Sequence, residues 1–101
     1  MKPLFIPLKT EFYLQFKSGE KKVEYRINGP RWNECTCKVG RPVILSRGYG
    51  KKDRMKGTIK GFRRVQAKRS SCPFEVLKSC YPDLTDYFYI AEIDIEIIEE
   101  E

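Results

Sequence analysis

The sequence predicts an α+β domain built as a mixed β-barrel, open or closed, with two short helices. Three observations lead there. Strand-like runs outnumber helical ones, and no two of them are joined by a regular helical crossover. The chain of 101 residues, 41% apolar and 13% aromatic, suits one domain over residues 1–101. At that size about two-thirds of the unfolded surface can be buried around a single core without disulfides or metal.

Leu4-Phe5-Ile6, bounded by Pro3 and Pro7, suits a first strand at an edge or barrel seam. Thr10 then reads as a helix N-cap, with Glu11 in the first turn and Phe12 and Phe16 one turn apart on an apolar stripe. Gly19 follows as the residue just past the helix end, where a left-handed backbone is tolerated. A strand comes next. Val23, Tyr25 and Ile27 alternate with Lys22, Glu24 and Arg26, and the apolar set is expected to face the core. The other set puts a carboxylate between two cations, either as a solvated face of weak ion pairs or as a polar site at the mouth of the barrel.

Asn28-Gly29-Pro30 breaks that strand, and Arg31-Trp32-Asn33-Glu34 suggests a turn of helix. Trp32, the single tryptophan, either closes one end of the barrel or stacks on a base beside Arg31. Val43-Ile44-Leu45 is a central strand, followed by a basic loop in which Gly48 and Gly50 flank Tyr49, with Arg47, Lys51, Lys52 and Arg54 around them. Backbone freedom and an exposed ring among cations suit gripping a phosphate or stacking a base. The loop lacks the Gly-Lys-Ser/Thr ending of a Walker motif. Lys56 to Val65 form the next strand, whose alternation slips near Gly61 as a bulge would make it. Ser70-Ser71-Cys72-Pro73 opens a second helix ending near Tyr81-Pro82, with Val76, Leu77 and Cys80 on an apolar surface. Tyr87 to Ile97 make the last strand, with a frayed end expected at Glu99-Glu100-Glu101.

Gly19, Lys21, Glu24 and Arg26 occupy a Gly-x-Lys-x-x-Glu-x-Arg pattern that resembles the signature of the ASCH domain, a small β-barrel module of the PUA-like superfamily. Pro7-Leu8-Lys9, the aromatic helix, the strand-loop from Val43 to Tyr49 and the strand Tyr87 to Ala91 follow that family in order, so the resemblance covers nearly the whole chain. It implies a PUA-like fold and binding of RNA or nucleotides. One branch of the family hydrolyses the acetyl amide of modified cytidine with a lysine, a threonine and a later glutamate. Lys21 matches that lysine, Glu24 stands where the branch has threonine, and Glu75 lies near the later helical region from which the branch draws its glutamate. A carboxylate cannot be activated by proton loss as a hydroxyl can. With Glu24 as general base and Lys21 or Arg26 stabilising an anion, RNA cleavage is a second hydrolytic reading.

Charge points the same way as the resemblance. Lys+Arg 20 against Asp+Glu 14 gives +6, and the stretch from Arg47 to Arg69 has Asp53 as its one acid, while acids gather in the last strand. Such a cluster attracts a polyanion in a salt-dependent way. The expected binding residues are Lys22, Arg26, Arg31, Trp32, Arg47, Tyr49, Lys51, Lys52 and Arg54, with Lys21 and Glu24 as the catalytic pair if there is chemistry. A protein-interaction role is the third alternative. No apolar run approaches the roughly 20 residues that span a bilayer, and no secretory segment is evident, so a cytoplasmic protein with Cys35, Cys37, Cys72 and Cys80 reduced is expected. With no histidine and only one residue between Cys35 and Cys37, no metal and no cofactor are expected.

Overall fold

The structure is a computed structural model that describes the backbone of residues 1–100 and the side chains of residues 1–98. The order is β1 (Leu4–Leu8), α1 (Thr10–Ser18), β2 (Val23–Ile27), β3 (Pro42–Arg47), β4 (Arg54–Gln66), a 3-10 turn (Ala67–Arg69), α2 (Phe74–Cys80) and β5 (Tyr89–Glu100). The strands form one five-stranded mixed sheet in the order β1-β3-β4-β5-β2, parallel only between β1 and β3. The sheet curls into a half-barrel, so the expected α+β, PUA-like barrel with two short helices is present in its open form. The fraying expected at the C-terminus concerns the side chains of Glu99 and Glu100 and all of Glu101, which lie outside the described residues.

Two register shifts in β4 make the curl, one between Lys56 and Gly57 and one between Ile59 and Gly61. The second is the bulge expected near Gly61. Before it Met55 and Ile59 point inward; after it Phe62 does, joined by Ala91, Ile93 and Ile95 of β5, Val43 and Leu45 of β3, and Leu4, Ile6 and Leu8 of β1. Helix α1 fills the open side with Tyr13 and Phe16, while Phe12 is only partly buried. Its cap is Lys9 rather than Thr10, with no side-chain cap bond, and it stops at Gly19, whose φ of 88° is the left-handed conformation expected there. On the outer face a smaller core forms from Ala67, Leu77, Leu84 and Ile90, with Tyr25 and Ile27 packed against it.

That second core overturns one expectation. Glu24 pairs with Ile93 and Arg26 with Ala91, so the charged face of β2 is the face that looks into the half-barrel. Tyr25 and Ile27 face outward, where α2 and the 3-10 turn cover them. Glu24 is accordingly 6% exposed, not a solvated residue, and Val23 is only half-buried. Two smaller corrections follow from local hydrogen bonding. Residues 31–34 form no helical turn, because the Asn33 side chain takes over the backbone groups: its amide donates to the Gly29 and Pro30 carbonyls and its oxygen accepts from the Cys35 and Thr36 amides. Helix α2 starts only at Phe74, since Ser71 N–H is used by Glu92 and Ser70 Oγ holds the Cys72 amide; its Val76 is 44% exposed while Leu77 is buried.

Gly57 sits at the first of the two register shifts in β4, close against β5. A Cβ there would lie 2.7 Å from the Glu96 carbonyl and 3.2 Å from an Ile95 methyl. Gly57→Ala is therefore expected to cost about 1–3 kcal/mol in urea unfolding, while Gly29→Ala, which meets nothing within 4 Å, changes stability by about 0.5 kcal/mol or less. Equal midpoints for the two variants would show that the curl is not made at this bulge.

Candidate functional site

An open half-barrel leaves β1 and β2 as its two edges, and the site lies where they face each other. Arg26 spans the gap. Its Nη2 donates to the Pro7 carbonyl of β1 at 2.6 Å while its Nε donates to Glu24 Oε2 at 2.7 Å. Glu24 Oε1 is 3.5 Å from Lys21 Nζ. A carboxylate inside a barrel is costly unless paired, and here both oxygens have a cation. Lys21 is itself held among rings, its Nζ 4.9 Å from the Tyr25 centroid, 5.3 Å from Phe12 and 5.4 Å from Phe16. Distances of this size are those of cation–π attraction, so the aromatic stripe of α1 both packs and positions the lysine. The αL turn at Gly19 and the Lys21 amide, bonded to the Gln15 carbonyl, return the chain so that Lys21 comes back over its own helix.

These groups form the floor of a cleft of about 770 Å³ between α1, β2 and α2, a size that suits a nucleotide-sized ligand. Leu8, Phe12, Val76, Leu77 and Cys80 give it apolar walls, and Lys9 and Lys22 stand at its rim. Tyr81 crosses from the end of α2 and donates its hydroxyl to the Tyr25 carbonyl at 2.9 Å, which fixes the α2 wall to β2. Burial pushes the Tyr81 phenol up to about 12, so it stays a donor across ordinary pH. Burial likewise raises Cys72, which keeps that thiol from acting as a thiolate.

The far side of β2 is pinned by Glu92. Its carboxylate accepts from the Ser70 hydroxyl at 2.6 Å, the Ser71 amide at 3.0 Å and Arg63 Nε at 3.1 Å. Burial acts to raise this carboxyl, but the Ser70, Ser71 and Arg63 bonds outweigh it and hold it below its ordinary value near 4.5. Ser71 in turn meets the Tyr25 hydroxyl at 2.9 Å. Glu92 thus ties the approach to α2, and with it one wall of the cleft, to the sheet.

The structure brings Lys21, Lys22, Glu24 and Arg26 together in this cleft. Arg31 and Trp32 join it indirectly: the Arg26 guanidinium lies 4.7 Å from the Trp32 ring and Arg31 5.2 Å from it. Trp32 also packs on the core while its ring carries both arginines. Arg47, Tyr49, Lys51, Lys52 and Arg54 are elsewhere, on the β3–β4 hairpin. That hairpin meets the cleft wall at its base, where Gly48 N–H bonds the Leu8 carbonyl and Arg47 Nε reaches Thr10 Oγ1. Tyr49 is 79% exposed and leans on Phe5, on which Arg54 also stacks.

Glu75 is exposed at the start of α2 and does not line the cleft, so the lysine–threonine–glutamate set of the hydrolytic branch is not assembled. Sequence reasoning missed Tyr81 and the ring cage of Lys21. The i, i+4 spacing of Phe12 and Phe16 was the visible signal for the cage, and it reads equally as packing. Cys35 is exposed while Cys37 is in the core, so the close pair does not converge; among the described residues no group of three or more ligand-type side chains gathers. No helix among the described residues is long and apolar enough to cross a membrane.

A half-barrel with a polar cleft at its seam and two short helices defines a small PUA-like module. The fold is ASCH-like: the chain is similar to ASCH from Zymomonas mobilis, with a TM-score of 0.64 and 14% identity over 95% of this chain and 68% of that one. It is similar to a mutant of that protein at a TM-score of 0.65 and 15% identity, over 100% and 76%. It is also similar to the crystal structure of hypothetical protein PH0355, at a TM-score of 0.67 and 22% identity over 96% and 100%. No protein-family model and no curated protein matches the sequence. At these identities the likeness is one of fold.

Two outcomes test the site's construction. Arg26→Met leaves Glu24 buried with Lys21 alone, and is expected to cost about 3 kcal/mol in urea unfolding, part of which returns in the double variant with Glu24→Gln. A cost under about 1 kcal/mol would mean that the seam does not depend on Arg26. For Glu92 the folded value lies below the unfolded one, so its contribution is present above about 4.5 and is lost as pH falls from there through the folded value. Glu92→Gln should therefore flatten the loss of stability as pH falls below about 4.5 and lower stability at neutral pH. An unchanged acid limb would show that Glu92 is not a titrating latch.

Proposed function

We propose that this chain is a module that binds RNA or a nucleotide-like ligand, with the cleft as the base or nucleotide site and the basic hairpin as a contact for phosphate. The observation that carries this reading is the cleft itself. Its floor offers the ammonium of Lys21 and the remaining guanidinium N–H groups of Arg26, with Lys9 and Lys22 at the rim, while its walls are rings and apolar side chains. A cationic floor under apolar walls matches a ligand with a flat apolar face and an edge of oxygen acceptors or phosphate. The resemblance of the Gly19–Arg26 motif to a family implicated in RNA and nucleotide binding supports the same assignment.

The exposed hairpin adds a sequence-independent term. Lys51 and Lys52 are exposed, and Tyr49 offers a free ring face beside them. The hydrolytic reading has less support, since both Glu24 oxygens are engaged by cations and Glu75 is outside the cleft. Single-stranded RNA is expected to bind with an affinity that falls steeply with salt. Replacing Lys51, Lys52 and Arg54 together should flatten log K against log salt by about 2, at roughly 0.7 per phosphate contact on a single strand. Absence of binding to single-stranded RNA, duplex RNA and free nucleotides at low salt would overturn the reading.

A further inference from the structure

The floor of the cleft has an order as well as a charge. Lys21 and Arg26 meet different oxygens of the Glu24 carboxylate, Lys21 Nζ at 3.5 Å from Oε1 and Arg26 Nε at 2.7 Å from Oε2. Across the floor the groups therefore run donor, acceptor, donor. None of the three is saturated by its neighbours. The 3.5 Å contact is longer than a good hydrogen bond, so Oε1 keeps accepting capacity and the Lys21 ammonium keeps N–H groups to give. The other groups around that ammonium are the rings of Phe12, Phe16 and Tyr25, which accept no ordinary hydrogen bond. On Arg26, Nε is given to Glu24 and Nη2 to Pro7, while Nη1 has no acceptor among the described residues.

We infer that this floor reads the imide edge of a uracil base, so that the ligand is a uracil nucleotide, free or within a single-stranded RNA. The inference rests on the reading of the cleft as a nucleotide site and names the base it takes. The complement of donor, acceptor, donor is acceptor, donor, acceptor. Uracil presents that order as O4, N3–H and O2, with N3–H on Glu24 and the two carbonyls on Lys21 and Arg26. No other standard RNA base does. Cytosine at N3 and adenine at N1 turn a lone pair toward the carboxylate, and guanine sets its amino group against one of the cations. Such a mismatch leaves charged groups in the cleft facing the wrong partner, which is the kind of discrimination a hydrogen-bonding site makes strongly. The carboxylate also favours a base over a phosphate on the floor. Glu24 is 6% exposed, and a phosphate held by Lys21 and Arg26 would lie against it, like charge on like. The exposed Lys9 and Lys22 at the rim are placed for the phosphate instead, and the apolar walls of Leu8, Phe12 and Val76 suit the faces of a pyrimidine ring.

The test titrates the full chain at low salt with UMP, CMP, AMP, GMP and N3-methyl-UMP, with inorganic phosphate, and with oligouridylate and oligocytidylate of twelve nucleotides. UMP should bind about tenfold or more tighter than each of the other nucleotides, and oligouridylate should exceed oligocytidylate by a similar factor. N3-methyl-UMP isolates the central contact, because it keeps both carbonyls and replaces only the N–H. Glu24→Gln should erase the preference for UMP over CMP, since an amide can accept from N3–H or donate to a bare N3. Because that variant can fold poorly, the comparison of UMP with N3-methyl-UMP on the wild-type chain decides by itself. Equal affinities within both sets, equal binding of UMP and N3-methyl-UMP, or displacement of UMP by inorganic phosphate at matched concentration overturns the inference and leaves the nucleotide reading standing. Failure of the wild type to bind any of the nucleotides or oligonucleotides overturns both.

Discussion

The structure depends on a carboxylate kept inside a barrel. Glu24 is turned inward by the register of β2 against β5, and at that depth it requires partners on both oxygens. Arg26 supplies one, and because its guanidinium also reaches Pro7 on the opposite edge, satisfying the charge and bridging the two open edges are one act. Lys21 supplies the other, and holding it requires the rings of α1 and Tyr25. The left-handed turn at Gly19, the aromatic helix and the charged strand are therefore parts of one arrangement.

The charge segregation of the sequence has a structural resolution. Basic β4 and acidic β5 pair antiparallel, so that Arg63 meets Glu92 and Asp94 and Lys60 meets Glu96. Part of what looks in sequence like a polyanion-binding stretch is thus engaged with the chain's own last strand. Lys51 and Lys52 of the hairpin and Lys22 of the 19–22 turn stay exposed.

The legible part of the fold was whatever a local pattern determines. The slip at Gly61, the stop at Gly19 and the alternation of β5 each follow from backbone constraints visible within a few residues. Alternation in β2 told which residues share a face but not which face is inside, since a period of two is symmetric. Tyr25 and Ile27 proved to serve a second core that α2 builds from the far end of the chain. The Arg31–Glu34 segment misled for a related reason: a single asparagine side chain replaced the helical bonds with its own. In the site, Lys21, Glu24 and Arg26 were recognisable as a motif, whereas Tyr81 enters only through a contact with Tyr25 from fifty-six residues away. The hairpin cations, adjacent in sequence to nothing in the motif, meet the cleft only through Leu8 and Thr10.

Pro7 gives the seam one further consequence. An open sheet leaves β1 with an unpaired backbone edge, the template on which foreign strands add and aggregates grow. At Pro7 that edge has no N–H to offer, and its carbonyl is already taken by Arg26. The same bond that shapes the mouth of the cleft therefore blunts the strand against self-association, and a barrel that never closes its backbone ladder is still spared one of the hazards of an open one.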